Sequence, residues 1–109
     1  MEPKERQVLH YTPGGRDLFG EWLDNLPDVS GRAAIRGRLN RMEEGNFGDY
    51  RGVGQGVREM RIHFGPGYRV YYGEDGPRIM LLICGGDKRT QQKDILKARR
   101  IWTEYRRLK

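Results

Sequence analysis

Apolar and polar residues alternate on both sides of Gly65-Pro66-Gly67, in the stretch "VREMRIHFGPGYRVYYG" (57–73). Met60, Ile62, Val70 and Tyr72 fall in one alternating set, and Glu59, Arg61, His63, Arg69 and Tyr71 in the other. A period of two belongs to strands with one buried face, and the Gly-Pro-Gly centre predicts a hairpin. With those three residues as the loop, Phe64 pairs with Tyr68, Ile62 with Val70 and Met60 with Tyr72 on the core face. On the other face Arg61 then lies opposite Tyr71, and His63 opposite Arg69. A shift of one residue would set Ile62 against Arg69, so the pattern favours this register.

Elsewhere the period changes. "RQVLHYT" (6–12) reads as a first strand that Thr12-Pro13-Gly14-Gly15 ends. From Asp17, the residues Leu18, Phe19, Trp22, Leu23 and Leu26 fall at helical spacing, and Pro27 stops them. Asp28 is placed to cap a second helix with a buried stripe of Ile35, Leu39 and Met42, ending at Gly45-Asn46. Residues 16–45 are thus expected to form a helical hairpin, with the arginines of its second helix on a solvated face. "RIMLLICG" (78–85) is almost uniformly apolar, which predicts a central strand covered on both faces. A basic helix from about Thr90 carries Ile95, Ala98, Trp102 and Tyr105 on one side. The expected architecture is one α+β domain: an N-terminal strand, a helical hairpin, a three-strand antiparallel meander and a C-terminal helix.

Composition narrows the options. The 109 residues suit one domain with one core. They include no apolar run of the roughly 18 residues that read as a membrane span. Residues 1–13 lack the apolar stretch of a secretory signal. A single Cys allows no internal disulfide and fits a reducing cytoplasm. The net charge of +6 is unevenly spread: residues 1–50 carry 7 Lys and Arg against 9 Asp and Glu, and residues 51–109 carry 14 against 6. A basic half points to a polyanionic ligand, with nucleic acid foremost.

The polar face of the predicted hairpin carries the candidate chemistry. It gathers Arg61, His63, Arg69 and Tyr71, with Arg51 just upstream and Lys88 and Arg89 leaving the neighbouring strand in "GGDKRT". RNA cuts itself when a 2′-hydroxyl lies in line with the adjacent phosphate. An enzyme for that reaction must deprotonate the hydroxyl, stabilise charge on the crowded phosphate and protonate the leaving oxygen. Arginine forks suit the phosphate oxygens, a histidine serves as acid or base near neutrality, and a tyrosine ring offers a base something to stack on. No cluster with metal-ligand spacing is present, and no cofactor is expected. Gly52-Val53-Gly54-Gln55-Gly56 lacks dinucleotide-loop spacing, and "GGDKRT" lacks the phosphate-loop pattern. Cys84 reads as a core thiol, and His10 receives no role. Lys97, Arg99, Arg100, Arg106 and Arg107 of the last helix are placed to contact RNA backbone.

"FGPGYRVYYG", "LLICGGDK" and "QQKDILKA", with "LFGEWLDNLPD" and "RAAIRGRLNRMEEGNFGD", resemble the RelE/ParE superfamily of bacterial toxins. The resemblance is greatest to the HigB-like, phage-related addiction-module killer branch, and covers nearly the whole chain. It implies a RelE-like fold and the toxin of a type II toxin–antitoxin module. The implied activity is ribosome-dependent cleavage of mRNA by 2′-hydroxyl attack. It implies catalytic roles for Arg61, His63, Arg69 and Lys88; the placement of the polar face adds Arg51, Tyr71 and Arg89 as RNA contacts. Some relatives carry a Tyr general base near the C-terminal end. Here that neighbourhood reads Thr90-Gln91-Gln92-Lys93-Asp94, which leaves His63, Lys88 and Asp87 as candidate bases. The implied partners are the ribosome, mRNA and a cognate antitoxin of helix-turn-helix type through which operator DNA is reached. A ParE-type gyrase inhibitor without nuclease activity is the alternative, and a non-catalytic RNA- or antitoxin-binding relative a third.

Overall fold

The computed structural model describes residues 5–109, so Met1–Lys4, part of the segment read for an export signal, lie outside it. The elements run β1 (Gln7–His10), α1 (Leu18–Asp24), α2 (Val29–Glu43), β2 (Tyr50–Gly54), β3 (Val57–Ile62), β4 (Tyr68–Asp75), β5 (Ile79–Asp87) and α3 (Gln91–Leu108). One-turn 3₁₀ helices occupy Pro13–Gly15 and Lys88–Thr90. The fold is α+β, with a five-stranded sheet in the order β1-β5-β4-β3-β2. β2 to β5 form an antiparallel meander, and β1 pairs parallel with β5 at the other edge. No helix of the described residues is long and apolar enough to cross a membrane.

Three expectations need correction. The meander has four strands rather than three, because Tyr50–Gly54 adds an edge strand that the glycine-rich "YRGVGQG" concealed. The β3–β4 register differs by two residues: Ile62 pairs with Tyr68, Met60 with Val70 and Arg61 with Arg69. The loop therefore spans His63–Gly67, closed by bonds from Gly67 N to the Phe64 carbonyl (3.0 Å) and from Phe64 N to the Ile62 carbonyl (2.9 Å). Phe64, taken for a core residue, is 41% exposed in that loop. A slip of two preserves which side chains share a face, so the sorting of apolar from polar holds although the pairs do not.

The third correction concerns the polar face, which is not open along its length. α1 and α2 cover one side of the sheet, where Phe19, Leu23, Ile35 and Met42 pack on Met60, Ile62, Val70, Tyr72 and Leu82. α3 covers the other, where Ala98 and Trp102 pack on Val57, Tyr71, Leu81, Ile83 and Cys84. The helix cap predicted at Asp28 is present, and Asp17 caps α1 in the same way, each accepting from the backbone N–H three residues on. Asp28 also accepts a bond from the Tyr68 hydroxyl at 2.7 Å, tying α2 to β4.

β5 lies between β1 and β4 and is buried on both sides, as its apolar run predicts. It carries a register shift against β4 between the Tyr71–Cys84 and Tyr72–Leu82 pairs, with Ile83 as the extra residue. Ile83 and Cys84 both join the α3-side cluster, so the alternation reverses beyond them. Gly85 then faces Trp22 of α1 and Gly86 faces Asp94 of α3. A Cβ at Gly85 would come within 2.3 Å of the indole, so no larger residue fits without moving α1.

Candidate functional site

Two cross-strand rows on the α3 side, at the end of the sheet near the N-terminus of α3, build the site. The inner row runs Arg51, Glu59, Tyr71, Cys84 across β2 to β5. The outer row places Arg61 opposite Arg69 and Arg69 opposite Gly86, with Asp49 beside Arg61 through the bond from Arg61 N to the Asp49 carbonyl (2.9 Å).

Glu59 is fully buried at the centre of the inner row. It accepts from Arg51 Nε at 2.9 Å, from the Tyr71 hydroxyl at 3.0 Å and from Gln91 Nε2 at 3.0 Å. Arg69 Nε lies 4.0 Å from the same carboxylate. Burial by itself would raise the Glu59 pKa, but the bonds from Gln91, Arg51 and Tyr71 outweigh it and hold the group below the ordinary carboxylate range. Tyr71 is correspondingly 0% exposed, and burial first, then the Glu59 charge, pushes its phenol strongly up. The expectation that Tyr71 stacks on an RNA base is therefore overturned: α3 covers its ring and its hydroxyl is spent on Glu59.

The outer row is more accessible. His63 is well exposed, and its Nε2 lies 2.5 Å from Asp49 Oδ2. Asp49 Oδ1 accepts from Arg61 Nη2 at 3.0 Å. The bonds from His63 and then Arg61 hold the Asp49 carboxyl below its ordinary pKa, so an ionised carboxylate fixes both side chains. Arg69 is 8% exposed, with Nη1 donating to the Gly67 carbonyl at 2.7 Å and Nε without a hydrogen-bond partner. Lys88 is exposed and makes no hydrogen bond or ion pair among the described residues, and its Cβ sits beside Gly67. Arg89 is exposed and bonds Asp87 at 3.1 Å. Asp87 is committed twice, also accepting from Arg89 N at 2.8 Å, and these bonds, against burial, keep it ionised.

The structure thus brings Arg61, His63, Arg69 and Lys88 to one end of the sheet, with Arg51 one row inward and Arg89 on the adjoining turn. Sequence reasoning missed Asp49, which orients two of them, because β2 was not recognised and Asp49 stood in an apparent loop. It missed Gln91, whose only signal is its place at the start of α3. It also assigned Arg38 to a solvated face, whereas Nη1 of Arg38 donates to the Arg61 carbonyl at 2.7 Å and Nη2 to the Phe47 carbonyl at 3.2 Å. Such a group can grip an anion with Arg61, Arg69 and Lys88, and exchange a proton through His63, whose second ring nitrogen is turned away from Asp49.

Fold and site together define the class: an α+β protein with a mixed five-stranded sheet and a cationic cluster at one end of it. No family model matches the chain. An uncharacterized protein of Haemophilus influenzae is 44% identical over 81 residues, which are 74% of this chain and 82% of that protein. The chain belongs to the same family as that protein.

Proposed function

We propose that this protein is the toxin of a type II toxin–antitoxin module in the RelE/ParE superfamily, HigB-like branch, and that it cleaves mRNA on the ribosome until a cognate antitoxin neutralises it. The observation that carries this reading is the outer row, where Arg61 and Arg69 face each other across β3 and β4 beside an exposed histidine held by Asp49. RelE-like toxins are expected to place their catalytic cations on this part of the sheet.

The chemistry follows from the geometry. His63 takes the proton of the 2′-hydroxyl, Asp49 holding its ring in place as carboxylates do for catalytic histidines. The 2′-oxygen bonds to phosphorus, and the bond from phosphorus to the 5′-oxygen breaks. A cyclic phosphate remains on one fragment and the other leaves with a 5′-hydroxyl. Arg69 and Arg61 stabilise the charge that grows on the phosphate oxygens. Lys88, which has no partner among the described residues, serves as the acid that protonates the leaving oxygen. Asp87 is a poorer base than His63, since both its oxygens already accept from Arg89.

The test is primer extension on mRNA from cells briefly expressing the protein, beside Arg69→Ala and His63→Ala forms shown to be folded. Codon-phased cuts are expected, lost in the first variant and reduced in the second by the factor of about 10²–10⁴ typical of general acid–base groups. Toxicity with intact mRNA would sink the nuclease and favour a gyrase inhibitor, which a supercoiling assay then shows directly.

A further inference from the structure

A second cavity, of about 690 Å³, opens next to this site between α1 and α3. It exists because β1 ends at the His10–Leu82 pair, leaving β5 from Ile83 to Asp87 without a strand on that side. Trp22 and Leu18 of α1 supply an apolar wall, and Gly85 and Gly86 its backbone floor, while Leu96 lies on α3 among the cations of the rim. Leu96 is 61% exposed, with nothing in the fold to cover it. Lys93, Lys97 and Arg100 form the opposite rim, at i, i+4 and i+7 on one face of α3.

The distribution of ion pairs sets this rim apart. In the site described above, Arg51, Arg61, His63 and Arg89 each have a carboxylate partner. Lys93, Lys97 and Arg100 have no ion pair or hydrogen bond among the described residues, and Lys97 acts on Glu21 and Cys84 only through its field. Asp87 and Asp94, which also line the cavity, are occupied by Arg89 and by the Thr90 hydroxyl at 2.5 Å. Lys88, whose Cβ sits beside Gly67, has no ion pair or hydrogen bond among the described residues either. The helical rise sets Lys93 to Lys97 about 6 Å apart along the axis and Lys97 to Arg100 about 4.5 Å, so the three cations follow one another along the rim.

We propose that this cleft is a nucleotide subsite that receives the RNA residue flanking the scissile phosphate, its base against Trp22 and Leu18 and its phosphates on Lys93, Lys97 and Arg100. The proposal rests on the nuclease reading only for the identity of the strand. The apolar wall facing a cationic rim matches a base joined to a phosphate, and the cleft shares Asp87 with the turn that presents Lys88. It gives the protein a means of preferring one base at a position the cationic row does not touch.

The test uses a labelled 2′-O-methyl oligoribonucleotide, which cannot be cut, titrated by fluorescence anisotropy at several salt concentrations. The wild type is compared with Lys93→Gln/Lys97→Gln/Arg100→Gln, changes that leave the core untouched. Each lost contact to a single strand lowers the slope of log K against log salt by about 0.7, so three should lower it by about 2. Tryptophan emission reports the wall independently: Trp102 is 3% exposed, so quenching on binding should come from Trp22. An unchanged slope with unquenched emission overturns the subsite, even if mRNA is cut. A slope change without mRNA cleavage keeps the subsite and removes the nuclease. Tight binding of a polyglutamate peptide, lost in the triple variant while oligonucleotide binding is not, overturns it in favour of an acidic protein partner.

Discussion

Glu59 shows how much one residue can decide. Its carboxylate joins β2, β3, β4 and the first turn of α3 through Arg51, Tyr71 and Gln91, and it lies beside Arg69. Because its folded pKa is depressed, it contributes stability above the ordinary carboxyl range and loses it as pH falls through the folded value. Glu59→Gln should therefore lower stability at pH 7 by about 1.5–3 kcal/mol, the worth of hydrogen bonds to a charged group. Between pH 6 and pH 3 its stability should also decline less steeply than that of the wild type. Urea titrations across that range check both outcomes. Cys84 gives a simpler case: burial pushes its thiol up to about 12, so a thiol reagent at neutral pH should label it only once the chain is unfolded. The sequence could suggest that Cys84 is inert, since it ends an apolar run. It could not reveal that Tyr71 is covered, because alternation assigns a residue to a face without saying what lies over that face.

At the level of elements, legibility followed how each element announces itself. α1 and α2 carry an aspartate cap, a stripe of apolar residues and a stop, and all three signals agree. Asp28 does double duty as cap and as acceptor for Tyr68, so Asp28→Ala should cost about 1 kcal/mol for the cap and more for the stranded phenol. A cycle with Tyr68→Phe should show non-additivity in thermal melts, since both changes remove the same bond. β2 was illegible because an exposed edge strand with Gly52 and Gly54 has neither alternation nor bulk. The β3–β4 register was misread because Phe64, apolar and in phase with the core set, lies in the loop instead. Gly73 is a packing site within β4: a Cβ there would come 2.3 Å from the Trp102 ring. Gly73→Ala should consequently destabilise by about 1–3 kcal/mol through overpacking against a rigid indole, measurable by denaturant midpoint.

For the molecule as a whole, α3 is the element that makes one face of the sheet a core. Trp102 anchors it against Val57, Tyr71 and Leu81, and Trp102→Ala should cost about 3–5 kcal/mol. That is a large share of the roughly 5–15 kcal/mol available to a domain, so calorimetry should show a much lower melting temperature or no cooperative transition. The charge excess of the second half was legible from composition, but its arrangement was not. Asp49, Glu59 and Asp87 hold Arg51, Arg61, Arg89 and the His63 ring at the sheet's end, while Lys88 and the α3 rim have no carboxylate partner among the described residues.

The pairing of β1 with β5 has a consequence in time. Gln7 waits for Ile79, and the polar centre at Glu59 waits for Gln91. During synthesis β1 cannot join the sheet until β5, the last of its five strands, has been made. The face that α3 seals stays wet until the final helix emerges. The sheet and the centre at Glu59 therefore close only after β5 and the start of α3 have been made.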